Sequence, residues 1–524
     1  MRRLAACGVV FVALSWSAAG FEFFQPVDPS RAFQVMAHRG ASGQAPENTR
    51  PALKRAADEG FEWAEVDVRL TKDGHHVIFH DSEVDGKTDG HGRVEDFSID
   101  EIRELDAGSW FSKRFRGERI LTLKECMAIA RGRLNLYLDC KHVDPVLLAD
   151  EILDAEMEKQ VVVFDDPPVL AKVQKRSKGR IAIMPKWRPA FGTESWVAKW
   201  RPDAIEIDAA DVTPEICRWF HDNGITVQAK VLGEDDRPEV WDRVLAAGVD
   251  WLQTDLAEDI IAHRSWKLLA ERPVQISCHR GACRYAPENT MPAFEKAIRL
   301  GVDYVEFDIH PSKDGDYFIL HDDTLDRTTN GQGAIAETSS DAIRGLDAGG
   351  RFGKPYQGLK VPELDEVFAL LRGRVMVYVD AKEIPAETLA RKLEEHDLVG
   401  AAVVYQGLAY LQELHALNPD IRALCPLGDP AQVDALYESV HPYGFDASWD
   451  ILSPELIQRC HALNVKVFSD AMGKHERIED YMQAMDWGID VIQTDYPLRV
   501  MRAVEIREAG RPGNSSDDAT AQHR

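Results

Sequence analysis

His38 and His279 stand 241 positions apart, and the residues around them repeat. Residues 35–49 read VMAHRGASGQAPENT, and residues 276–290 read ISCHRGACRYAPENT. Glu47 and Glu288, Glu65 and Glu306, Asp67 and Asp308, His80 and His321, Asp139 and Asp380, and Lys141 and Lys382 keep the same 241 spacing. Near the end of each copy, GVDWLQTD at 248–255 matches GIDVIQTD at 488–495, at a spacing of 240. Length alone would suggest three or four domains at ~150 residues each, but a duplicated chain of 524 residues is two copies of one domain. The expected boundaries are 30–265 and 272–505, with a polar, disordered tail at 506–524.

Within each copy, short β-rich runs alternate with amphipathic stretches. In the first they fall at 34–37, 63–68, 134–138, 161–164, 181–184, 204–207, 225–229 and 251–253, with helical segments such as 51–59 and 238–247 between them. Eight strands joined by helical crossovers predict an α/β fold, two tandem (β/α)8 barrels of the TIM type. A ninth run, 76–79, follows the second across only Thr71-Lys72-Asp73-Gly74. That link is too short for a parallel crossover and predicts a hairpin.

In such barrels the strand C-termini line the site. His38-Arg39 ends the first strand. Glu65 and Asp67, two apart on the second, face one side, as do Asp139 and Lys141 at the end of the third, and His80 ends the hairpin. Three carboxylates on one opening repel one another unless a cation neutralises them. The oxygen set Glu65, Asp67 and Asp139 suits a hard ion, Ca²⁺ or Mg²⁺, one per barrel. Arg39 and Lys141 beside such an ion form a phosphate clamp, and His38 and His80 are placed for proton transfer. The second copy carries the same set in His279, Arg280, Glu306, Asp308, His321, Asp380 and Lys382. With 62 basic and 88 acidic residues, the net charge of −26 repels polyphosphate and excludes sequence-independent nucleic-acid binding.

The chain opens Met1-Arg2-Arg3, runs apolar from Leu4 to Trp16 and continues Ser17-Ala18-Ala19 before Gly20. This is the layout of a secretory signal peptide, 1–19. The apolar run falls short of the ~20 residues that span a bilayer, so export without stable membrane insertion is expected. Cys7 leaves with that segment. Of the seven other cysteines, Cys278 and Cys283 are close enough in sequence to pair, and most of the rest read as small buried hydrophobes.

The HRG…PENT segment, the E-x-D-V-x-x-x-K-D-G hairpin with its following HD, the LDAG at 105–108 and 346–349, and LDRTTNGQG at 325–333 resemble the glycerophosphodiester phosphodiesterase family. The resemblance covers both halves nearly end to end. It implies a distorted barrel of the phosphodiesterase and phospholipase-C-like type. It also implies divalent-cation-dependent hydrolysis of a small-molecule glycerophosphodiester to an alcohol and glycerol 3-phosphate. By the same resemblance His38, His80, His279 and His321 are the acid/base residues, and Glu65, Asp67, Glu306 and Asp308 hold metal. Arg39, Arg280, Lys141 and Lys382 would contact phosphate, with Glu47 and Glu288 in support. Where the family has Glu-x-Lys, this chain has Asp139-Cys140-Lys141 and Asp380-Ala381-Lys382; aspartate still ligates, on a shorter arm. The late strands also depart from the family, which leaves the alcohol side open. There Trp449, opposite Ala209 in the first copy, either packs in the core or offers its ring face to a quaternary ammonium. The rival readings are a phospholipase D-like activity on lysophospholipid or sphingomyelin, and a non-catalytic envelope binding protein with one or both barrels inactive.

Overall fold

The computed structural model describes residues 20–269 and 272–510. The first half contributes β1 (Gln34–Ala37), β2 (Trp63–Leu70), β3 (His76–Ile78), β4 (Asn135–Cys140), β5 (Val161–Phe164), β6 (Ala182–Ile183), β7 (Ala204–Asp208), β8 (Thr226–Lys230) and β9 (Trp251–Thr254). The second contributes β10 (Gln275–Cys278), β11 (Tyr304–Pro311), β12 (Tyr317–Ile319), β13 (Met376–Asp380), β14 (Ala402–Tyr405), β15 (Arg422–Leu427), β16 (Gly444–Ala447), β17 (Lys466–Asp470) and β18 (Val491–Thr494).

Each half is one parallel sheet rolled on itself, as expected: two tandem TIM-type barrels. The first runs β6-β5-β4-β2-β1-β9-β8-β7 and is completed between β6 and β7 by a single parallel bridge, Lys186 to Glu206. The second closes fully, β10 pairing with both β18 and β11. The short hairpins are also present, β3 antiparallel on β2 and β12 antiparallel on β11. Apolar runs such as VVVF at β5 suit strands covered on both faces. A proline in the first turn starts many of the helices between them, at Pro51, Pro145, Pro214 and Pro238 and again at Pro292, Pro454 and Pro497. There the missing N–H costs no hydrogen bond.

Alternate residues of each strand fill the lumen. In the first barrel the floor is Met36, Trp63, Ala182, Ala204 and Trp251, packed around Phe23 from the segment before β1, whose ring lies 5.2 Å from Trp63 and 5.0 Å from Trp251. In the second the lumen holds Tyr304, Tyr378, Val403, Leu424 and Phe468. Above these apolar floors the same strand faces turn polar, and that is where the site lies.

The LDAG repeats are structural. Asp106 accepts from the backbone N–H groups of Gly108, Ser109 and Gly117. A Cβ on Gly108 would stand 2.0 Å from the carbonyl oxygen of Phe115, and one on Gly349 would stand 1.9 Å from that of Tyr356. Glycine is the only residue that fits this approach.

The halves meet along the helices Ala257–Leu268 and Pro497–Ala509. Ser265 donates to Glu505 at 2.5 Å, and the two are equivalent positions at the 240 spacing (505 − 265). Contact between equivalent residues marks a two-fold relation between the copies. Around it Lys296 of the second half is buried between Asp259 and Glu258 of the first, and Glu59 of the first accepts from Arg284 and, at 2.8 Å, from Tyr285.

Two expectations are corrected. The last helix runs to Ala509, past the expected tail boundary at 506, because its inner face stays buried through Val504 and Arg507 pairs with Asp486 at 3.0 Å. Cys278 and Cys283 are both free thiols. Cys278 packs into the apolar cluster outside β10, while Cys283 donates to Asp495 at 3.2 Å on the other side of the turn. The expected signal peptide, with Cys7, and residues 511–524 of the tail lie outside the described residues.

Candidate active site

β2 and β4 lie in register, with Glu65 opposite Tyr137 and Asp67 opposite Asp139. That register brings Glu65, Asp67 and Asp139 together, each offering a carboxylate oxygen within 4.8 Å of the others. β11 and β13 repeat it with Glu306, Asp308 and Asp380. Glu65 and Asp67 are both 1% exposed. Burial, then repulsion from Asp67 and Asp139, pushes the Glu65 carboxyl well above the usual carboxylate range. Glu306 is raised in the same way by burial and Asp308, and Asp380 chiefly by burial.

Those three carboxylates fit a hard divalent cation. All donors are oxygen and the spacing is that of ligands around one ion; the Oδ1 of Asp67 is met by the Lys141 ammonium. Asn48 fixes the other oxygen of Asp67 at 2.8 Å, and Asn289 does so for Asp308 at 2.8 Å. Lys141 reaches into the cluster, 2.6 Å from Asp139 and 3.2 Å from Asp67; burial opposes its charge, and the two carboxylates more than offset it, so its pKa is raised. Lys382 repeats these contacts with Asp380 and, at 3.2 Å, with Asp308.

Arg39 and Arg280 sit in the left-handed backbone region, φ +55° and +54°. Such strain persists where the surroundings hold it. Here it turns the Arg39 N–H onto Glu65 at 2.8 Å and the Arg280 N–H onto Glu306 at 2.6 Å. The Arg39 guanidinium lies 3.0 Å from Glu47 and 3.6 Å from Asp67, and Arg280 lies 2.9 Å from Glu288 and 3.8 Å from Asp308. Glu47 and Glu288 therefore hold the arginines beside the acid clusters.

Each of the four histidines has Nδ1 against a carboxylate: His38 on Asp255 at 2.7 Å, His80 on Asp81 at 2.7 Å, His279 on Asp495 at 2.8 Å and His321 on Asp322 at 2.8 Å. A carboxylate only accepts, so Nδ1 carries the hydrogen and Nε2 is left as the exchangeable site. His38 Nε2 stands 3.9 Å from Glu65, facing the acid cluster. The four partner aspartates were legible only as members of repeated motifs, Asp81 and Asp322 in the HD pairs and Asp255 and Asp495 closing the QTD repeats. Trp449 packs, its ring stacked 5.5 Å from His475 and edge-on to Tyr481 at 6.3 Å.

A sequence model of the glycerophosphoryl diester phosphodiesterase family matches residues 38–194 and 279–499, one stretch in each barrel. The chain belongs to that family. A glycerophosphodiester phosphodiesterase from Caldanaerobacter subterraneus subsp. tengcongensis is 31% identical over 243 residues, which cover 44% of this chain and 97% of the relative. Another, from Bacillus subtilis, is 30% identical over 257 residues, 44% of this chain and 86% of the relative. A solved glycerophosphodiester phosphodiesterase from Agrobacterium tumefaciens superposes with a TM-score of 0.41 at 29% identity, covering 44% of this chain and 99% of its own. A nearly complete relative thus corresponds to less than half of this phosphodiesterase. Membership makes the chain a phosphoric diester hydrolase by class.

Proposed function

We propose that each barrel hydrolyses glycerophosphodiesters to an alcohol and glycerol 3-phosphate. The observation that carries this reading is the presence, in both barrels, of two carboxylate-held imidazoles and a cluster of three carboxylates, two of them buried. Glu65, Asp67 and Asp139, and Glu306, Asp308 and Asp380, would hold Ca²⁺ or Mg²⁺, one per barrel. Such an ion supplies positive charge to a phosphoryl group as negative charge develops on it.

The chain's own residues do the rest. Arg39 or Arg280 positions the phosphate and neutralises one of its oxygens. One histidine accepts at Nε2 the proton of the attacking hydroxyl as the new oxygen–phosphorus bond forms. The other, protonated, gives its Nε2 proton to the alcohol oxygen as the old bond breaks. The attacking hydroxyl is water or the neighbouring glycerol hydroxyl, and a cyclic phosphate trapped in a single turnover identifies the second route.

The test is a panel of glycerophosphodiesters assayed after chelation and after readdition of Ca²⁺ or Mg²⁺. Chelation is expected to lower turnover about a hundredfold or more, the ion's share of transition-state stabilisation being several kcal/mol. Readdition should also raise the unfolding midpoint, because an ion that binds only the folded site stabilises it. No hydrolysis of any member with either ion would overturn the reading.

The proposal includes export, motivated by the leader pattern at 1–19. Mature protein is expected to begin at Gly20, and N-terminal sequencing showing an intact Met1 in exported material would refute it. Among the described residues no helix is long and apolar enough to cross a membrane.

A further inference from the structure

The polar site positions of the early strands repeat between the two barrels, and those of the late strands do not. In the first barrel Lys186 lies beside Glu206 across the β6–β7 bridge; in the second, Pro426 holds that register position beside Asp446. Glu206 pairs with Gln228 and Asp446 with Phe468, so the residues two further along, Lys230 and Asp470, are equivalent as well. Two lysines of the first mouth are therefore replaced by a proline and an aspartate.

The charge pattern changes accordingly. Lys186 lies 2.5 Å from Asp208 and 3.4 Å from Glu206, so both acids of β7 face a lysine. In the second, Asp446 accepts from the Tyr378 hydroxyl at 3.0 Å. The Oδ1 of Asp470 is shut off from solvent and has no hydrogen-bond partner. Neither carboxylate has an ion-pair partner among the described residues, the lysine of that mouth, Lys382, being engaged by Asp308 and Asp380. Two part-buried carboxylates without a counter-ion are costly to charge, and a cation from outside relieves the cost. Burial, Asp446 and Asp380 hold the Asp470 carboxyl well above its ordinary range, and burial and Asp380 push Asp446 up to about 6. Beside them, at the end of β14, stands the half-buried Tyr405, while Phe468, in place of Gln228, belongs to the packed layer below. An aromatic ring next to carboxylates suits an ammonium group, a methylated one in particular.

We infer that the barrels divide substrates by head-group charge: the second takes glycerophosphodiesters with a cationic ammonium head group, and the first takes those with a neutral polyol. This rests on the reading of both barrels as glycerophosphodiester hydrolases. Glycerol is neutral, so within such a substrate only the head group can supply the missing positive charge.

The test uses the full chain with one barrel silenced, His38→Ala to read the second and His279→Ala to read the first. Specificity constants are measured for glycerophosphocholine and glycerophosphoinositol. The second barrel is expected to favour the choline ester by about tenfold or more, as a charge pair plus ring contact allows, and the first to reverse the order. Asp470→Lys in the His38→Ala chain should abolish the preference, mainly by raising KM for the choline ester. Asp470→Asn, close in shape, carries the same test if the lysine variant does not fold. The same rank order in both barrels, or an unchanged ratio in both Asp470 variants, overturns the division. Loss of all hydrolysis in both silenced chains would instead overturn the proposed function beneath it.

Discussion

Replacing His38 and His279 together with alanine is expected to lower turnover by about 10²- to 10⁴-fold, the usual contribution of a positioned acid or base. Either replacement alone should remove only the hydrolysis its own barrel supports. The reason is geometric. His38 takes its partner from Asp255 and His279 from Asp495, and each acid cluster is built from strands of one barrel. Steady-state rates for the wild type, both single variants and the double variant decide it, read on substrates of both head-group types. If one single replacement abolished all turnover, the two sites would not be independent. If the double variant kept near-normal rates, these imidazoles would not be the proton carriers.

Lys296→Met should destabilise the pair of barrels by about 3–5 kcal/mol, the cost of leaving a buried charge without its partner. Lys296 is 6% exposed and its neighbours Glu258 and Asp259 are 7% and 3% exposed. The lysine belongs to the helix Met291–Arg299 of the second half and both acids to the helix Ala257–Leu268 of the first. Burial works against its charge, and Asp259 and Glu258 outweigh that, so its pKa is raised. Arg299 remains beside Asp259 at 3.1 Å, so Glu258 is the anion left most exposed to the loss. The unfolding midpoint is expected to fall by about 10 °C for a domain of this size, while the silenced-barrel assays keep their rank order. An unchanged midpoint would show that the ion cluster contributes nothing net to holding the halves together. Lys296→Met combined with Glu258→Gln should recover part of the loss by removing the orphaned charge.

Much of this was legible in the residues. Strands on a two-residue period and helices opened by proline follow from local chemistry, and the repeat placed every strand of the second barrel once the first was read. Glu65 and Asp67 could be assigned to one face because side chains alternate along a strand. The Nδ1 partner of His38 could not be read, because Asp255 lies 217 residues away. It arrives only when β9 docks beside β1. The free state of Cys283 was hidden for a similar reason: its partner, Asp495, comes from the far end of the same barrel.

Duplication, the barrel fold, the acid clusters and the four histidines were determined by the sequence itself, since spacing and alternation are properties of neighbouring residues. The tertiary structure alone decided the aspartates that orient the histidines, the ion cluster between the halves and the unequal charge of the two mouths. Those depend on ring closure, which sets residues of distant strands side by side in a register that no local period encodes.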